Sequence, residues 1–249
     1  MRFYLWLFLF LLMLSGCSTT QETESANNVS EEDDEFKEFE IRVIRPRYFD
    51  KRYRLEIGLG PAVITNQSFI YTYMMSGVLA FHFSDSWAIE GDYSYGLSID
   101  KIEKKHLDGD FNIKTEVTRT RSLAEVGLLW TPIYGKFQAE SGYLFYSDTY
   151  FSVGGGKTEL LYKYDHCEAT ANSSPTARSP DTPAMYSYPS VYLGAGQRFF
   201  VSKNSSLKWD LRVNNIIRNA SDGSCSTDAA PSTENVTNVV VKMGYSYFL

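Results

Sequence analysis

Past residue 17 the chain has no apolar run long enough to cross a bilayer as a helix. It also holds little of what catalysis or metal binding needs. There are three histidines and three cysteines in 249 residues, and no set of them has metal-ligand spacing. Neither a metal centre nor any other cofactor is therefore expected. Basic residues are not in excess: the formal net charge is −6, which argues against nucleic acid as a partner. What is abundant is aromatic residues, at 15% of the chain with 18 Tyr and 16 Phe. Tyrosine suits a membrane interface, where the ring is buried and the hydroxyl stays wet. A lipid-facing chain without a spanning helix has one other option, a closed β-barrel, because backbone polar groups cannot go unpaired in hydrocarbon.

From Tyr53 onward, apolar residues alternate with polar or small ones. Eight segments show this period of two, at 53–60, 71–83, 87–97, 120–130, 137–145, 191–198, 207–214 and 239–249. One face of each is apolar and the other charged or small. A soluble sandwich would turn the apolar face inward, whereas a membrane barrel turns it toward lipid. Connection lengths separate the two. Short links, Ser84–Ser86, Thr131–Gly135 and Ser202–Ser206, alternate with long ones at about Ser98–Val117, Gly154–Ser187 and Asn219–Thr237. Short periplasmic turns alternating with long external loops are expected of outer-membrane barrels. Most segments can also supply the roughly 9–11 tilted residues that cross a bilayer. The expectation is an all-β fold: an eight-stranded antiparallel transmembrane β-barrel with short periplasmic turns and long external loops, in the outer membrane.

The N-terminus reads as a secretory signal, with Arg2 followed by the apolar run Phe3–Leu14. It ends in Leu14-Ser15-Gly16-Cys17, which resembles the lipobox of bacterial lipoproteins. The resemblance implies cleavage before Cys17, acylation of that residue and, with Ser18 following, sorting to the outer membrane. Residues 18–40 are polar and acidic, including Glu31-Glu32-Asp33-Asp34-Glu35, and read as a solvated tether. The expected division is 1–16 signal peptide, 17–50 lipidated acidic periplasmic tether, and 51–249 barrel.

The C-terminus alternates up to Leu249 and resembles the terminal-strand signal of outer-membrane barrels, which implies contact with the barrel assembly machinery. Three stretches, Arg45–Phe49, Arg52–Glu56 and Phe81–Glu90, resemble a family of small outer-membrane barrels from gliding and predatory bacteria with OmpA-like eight-stranded architecture. The resemblance implies a barrel, with partners in envelope or surface-motility complexes. It implies no reaction.

In an eight-stranded barrel, side chains fill the lumen. The polar faces place Arg54, Glu56, Glu90, Asp92, Arg121, Glu125, Glu140, Arg198, Lys208, Asp210, Arg212 and Lys242 there, where opposite charges must pair. This reads as a salt-bridged core. An acid/base pair of carboxylates is disfavoured, because neighbouring cations would hold both ionised. His82 near Ser84 sits at the periplasmic end, the opposite end from that used by lipid-deacylating barrels. His106 and His166 fall in loops. Cys167 and Cys225, both in external loops and in an oxidising compartment, read as a disulfide. Gly154-Gly155-Gly156-Lys157-Thr158 lacks the spacing of a phosphate loop and reads as a flexible strand exit. Asp108-Gly109 reads as a hairpin tip.

The function expected is that of a non-enzymatic outer-membrane lipoprotein barrel. It would be an envelope anchor or a component of a surface or gliding-motility complex. The alternatives are a lipid-modifying enzyme and a narrow pore.

Overall fold

The computed structural model describes residues 49–111, 117–138, 144–164, 167, 183–226 and 230–249. Eight strands follow in order: β1 (Arg54–Ile64), β2 (Ile70–His82), β3 (Trp87–Asp100), β4 (Thr118–Gln138), β5 (Leu144–Tyr162), β6 (Ala184–Phe200), β7 (Ser205–Asn219) and β8 (Thr233–Phe248). Each pairs antiparallel with the next, and β1 also pairs with β8, so the sheet closes into a barrel with no free edge. A nine-residue helix, α1 (Ile102–Asp110), lies between β3 and β4.

Outside the irregularities of β4, burial follows the alternation. In β2, Tyr71, Tyr73, Met75, Leu79 and Phe81 are exposed, while Thr72, Met74, Ser76, Val78 and Ala80 are buried. The exposed face is the apolar one all round the ring: Leu59 at 60%, Val126 at 62%, Leu193 at 66% and Met243 at 63%. Water would not tolerate such a continuous apolar belt, and hydrocarbon would. Trp87, Trp130 and Phe151 form a row of neighbouring rings at one edge of the belt, with centroids 6.1 Å apart. Tyr71, Tyr73 and Tyr95 mark the other edge on β2 and β3. Short turns at 83–86 and 201–204 join strands at the first edge. Connections 101–117, 163–183 and 220–232 join them at the second. The chain is therefore an outer-membrane β-barrel, with the short-turn end periplasmic.

Four local expectations are corrected. The link Thr131–Gly135 is not a turn but lies within β4, and the described parts of the expected fifth strand, 137–145, divide between the end of β4 and the start of β5. The β4–β5 register slips between Trp130 and Ile133 and the ladder then continues to Gln138↔Leu144. Pro132 has no N–H to give, so it sits at this irregularity rather than ending the strand. The triple glycine at 154–156 lies mid-strand in β5. A Cβ on Gly156 would lie 1.9 Å from the Ala124 carbonyl oxygen, so a close backbone approach explains it. Asp108-Gly109 lies within α1 and forms no hairpin tip.

Candidate functional site

The lumen is filled by charge. From the periplasmic end upward, Lys51 Nζ meets Asp148 at 2.5 Å and Arg198 meets Glu56 at 2.6 Å. Lys208 then bridges Glu56 (3.5 Å) and Glu90 (3.3 Å). Arg212 binds Glu90, Asp210 (2.7 Å) and Glu125 (3.1 Å), and Lys242 binds Asp92 at 2.8 Å. Hydroxyls of Ser76 and Ser94 donate to Asp92 at 2.9 Å, and the Asn214 amide donates to Glu125. None of these eleven charged residues is more than 8% exposed. Five cations (Lys51, Arg198, Lys208, Arg212, Lys242) face six carboxylates (Asp148, Glu56, Glu90, Asp210, Asp92, Glu125) in one linked column. Alternation of sign along the column offsets the desolvation each charge would suffer alone.

Aromatic rings thread this column. Arg212 stacks over Tyr192 at 4.8 Å, and Arg198 over Tyr150 at 5.5 Å. Inward glycines make the room: a Cβ on Gly127 would lie 2.3 Å from the Tyr192 hydroxyl. Among the described residues a cavity of about 20 Å³ lies against this column, lined by Ser76, Asp92, Lys208, Asp210, Arg212 and Lys242, among others. That is water-sized, too small for a substrate.

Both ends are closed. At the periplasmic mouth Phe49 packs on Phe200 and Phe248, with ring centroids at 4.9 and 4.7 Å. Tyr53 turns the chain from this plug into β1 with φ 59°, its N–H donating to the His82 carbonyl at 2.7 Å. Above the charges lies an apolar layer of Ala62, Ile64, Met74, Leu123 and Val240. Higher still, Cys167 and Cys225 are bridged, with Cα atoms 5.3 Å apart. The bridge packs on Leu160, Tyr162, Tyr164, Tyr188 and Ile216. Tyr164 donates to the Asp222 carbonyl at 2.8 Å, tying the β5–β6 and β7–β8 loops into one cap.

Nine of the twelve residues assigned to the lumen lie in the column. Arg54 does not: it sits at the periplasmic rim, its guanidinium donating to the carbonyls of Phe248 and Leu249. Arg121 is on the outer wall, over the Tyr95 ring at 4.4 Å, because a bulge between Thr120 and Ser122 turns it out. Glu140 lies outside the described residues, as do Cys17 and His166. Sequence reasoning missed Lys51, which precedes the first strand, and Asp148, hidden by the misplaced fifth segment. It also missed His82, whose inward parity in β2 was the available signal. His82 Nε2 lies 2.9 Å from Glu56 in the lumen, and Ser84 Oγ instead accepts from the Ser86 N–H. His106 pairs with Asp110 at 3.0 Å on the exposed helix. Among the described residues no group of three or more His, Cys, Asp or Glu is placed to hold a metal ion.

No family model matches the chain, and no curated protein matches it. Solved structures of similar shape include Ail, the attachment invasion locus protein of Yersinia pestis. It is 11% identical, covers 79% of this chain and 97% of its own, and has a TM-score of 0.41. OprG from Pseudomonas aeruginosa is 11% identical over 81% of this chain and 98% of its own, at 0.44. Neisserial surface protein A is 11% identical over 78% and 95%, at 0.38. The barrel assignment rests on the closed ring and its apolar belt.

Proposed function

We propose that the protein is a non-enzymatic anchor of the cell envelope, presenting its external cap and its periplasmic tail to other envelope or surface-complex proteins. The observation that supports this reading is the filled lumen. Among the described residues, a column of paired charges between an aromatic plug and an apolar layer fills the space a solute or a substrate would need. The external side carries the device that orders a surface, the Cys167–Cys225 bridge across two loops. Acylation of Cys17 would add a second attachment to the same membrane, and one acyl chain is weak beside a spanning barrel. A role in surface motility is the specific form of this reading that the sequence resemblance favours.

The test joins two assays. Purified protein in planar bilayers should pass no ion current and should release no fatty acid from lipid. A photo-crosslinker at Glu103 on α1, in whole cells, should give a discrete adduct with an envelope protein. Loss of the adduct in the Cys167→Ser/Cys225→Ser variant would place the partner on the cap. Ohmic current or lipid turnover would displace the anchor reading.

A further inference from the structure

The outer wall carries a notch at the external edge of the apolar belt. The β3–β4 ladder ends at Tyr95↔Ser122, although both strands run on, β3 to Asp100 and β4 up from Thr118. Two arginines fill the opening. Arg121 donates to the Gly96 carbonyl at 3.3 Å, and Arg119 donates to the Ser98 carbonyl at 3.1 Å. The gap is a cavity of about 200 Å³ lined by Leu97, Arg119, Arg121, Leu161 and Lys163, among others.

Its charge is lopsided. Arg119 also binds Asp100 at 2.5 Å, which is shared with Lys104 at 3.4 Å. Glu159 accepts from Ser122 at 2.7 Å. That leaves Arg121, over the Tyr95 ring, and exposed Lys163 without a carboxylate among the described residues. Arg119 Nε is buried and likewise has no acceptor among them. The notch opens sideways, onto the lipid face, with apolar Leu97 and Ile99 exposed beside it. A cation stacked on an interfacial tyrosine sits at the depth of headgroups. A fork of guanidinium donors with a lysine suits phosphate geometry.

We propose that this notch binds the phosphate of an anionic outer-leaflet lipid, its acyl chains lying along the adjoining apolar wall. The site holds the barrel's rotation and depth in the leaflet through Arg121 and Lys163, with Arg119 fixing the frame. The probe is diphosphorylated lipid A, titrated onto the full-length protein in detergent and followed by native mass spectrometry, with dephosphorylated lipid A alongside. Phosphorylated lipid should bind tighter by roughly tenfold or more, the value of one charge-assisted hydrogen bond. The Arg121→Gln/Lys163→Gln variant should lose that preference, and Lys105→Gln on exposed α1 should keep it. A heat-modifiability gel checks that each variant is folded. Equal binding of the two lipids to the wild type overturns the proposal. So does a preference that survives in the folded double variant, or one that inorganic phosphate abolishes at concentrations equal to the lipid's, which would mark a site for free anion.

Discussion

The lumen and the external cap are buried parts of the same sheet, yet they are held by opposite means. The lumen is built from Arg198, Lys208, Arg212 and Lys242 against Glu56, Glu90, Asp92 and Glu125. The cap is built from tyrosines, Leu160, Ile216 and a disulfide. Surroundings account for the difference. Within the belt the outward positions must be apolar, so the inward ones supply the polarity and have to satisfy one another in a low-dielectric space. Above the belt, water lies on the outside, so β5 and β6 can turn apolar side chains inward as a soluble protein does. A paired charge cannot be removed singly without stranding its partner. A contact in the cap can be removed at the ordinary cost of lost packing.

That contrast breaks most readily at Arg212. Arg212→Ala leaves Glu90, Asp210 and Glu125 short of their shared partner and should cost about 3–5 kcal/mol, read as a lower urea midpoint in detergent. A triple change that also neutralises Glu90 and Glu125, to Gln, should recover part of the loss. Next comes the plug. Phe49→Ala removes a ring packed between Phe200 and Phe248 and should cost about 3 kcal/mol, the lower end for a core aromatic. Lys51→Met in the same segment leaves Asp148 with only the longer Arg198 contact at 3.7 Å, and should cost more than its apolar size suggests. Reduction of Cys167–Cys225 should cost about 2–3 kcal/mol in the cap. Its readout is faster proteolysis near Lys163, with the barrel's own unfolding midpoint little changed. Equal shifts of the barrel and cap transitions would mean the two cores are one cooperative unit. The smallest effect is expected at Cys17→Ala. Acylation should be lost on mass spectrometry while the folded-barrel band on an unheated gel stays unchanged. A fully soluble product would contradict the barrel.

The strand period made the fold legible, and parity within each strand placed Glu90, Asp92, Glu125, Asp210 and Arg212 inside. Two of the failures of sequence reasoning trace to a backbone irregularity, at Thr131-Pro132 and at Arg121. Thr131-Pro132 has the composition of a turn and is a register slip in a strand that continues. Gly154–Gly156 has the composition of a loop and instead lies mid-strand, where a Cβ on Gly154 or Gly156 would meet a β4 carbonyl. Arg121 follows lumen parity by counting, and the bulge beside it reverses that parity. Lys51 and Phe49 precede the first strand and carry no period at all, so their burial in the mouth had no signal. The cap was legible only through its two cysteines, because its tyrosines continue the alternation of the belt below.

The central claim is that the apolar face looks at lipid and the polar face at a closed interior. A nitroxide scan of β2 in reconstituted vesicles tests it directly, since none of the positions from Tyr71 to Phe81 is charged. Labels at 71, 73, 75, 77, 79 and 81 should be accessible to oxygen and shielded from a water-soluble nickel reagent. Labels at 72, 74, 76, 78 and 80 should be shielded from both. Access of the nickel reagent to the even positions would show a water-filled channel, and access to the odd ones would show a surface in water, contradicting the account.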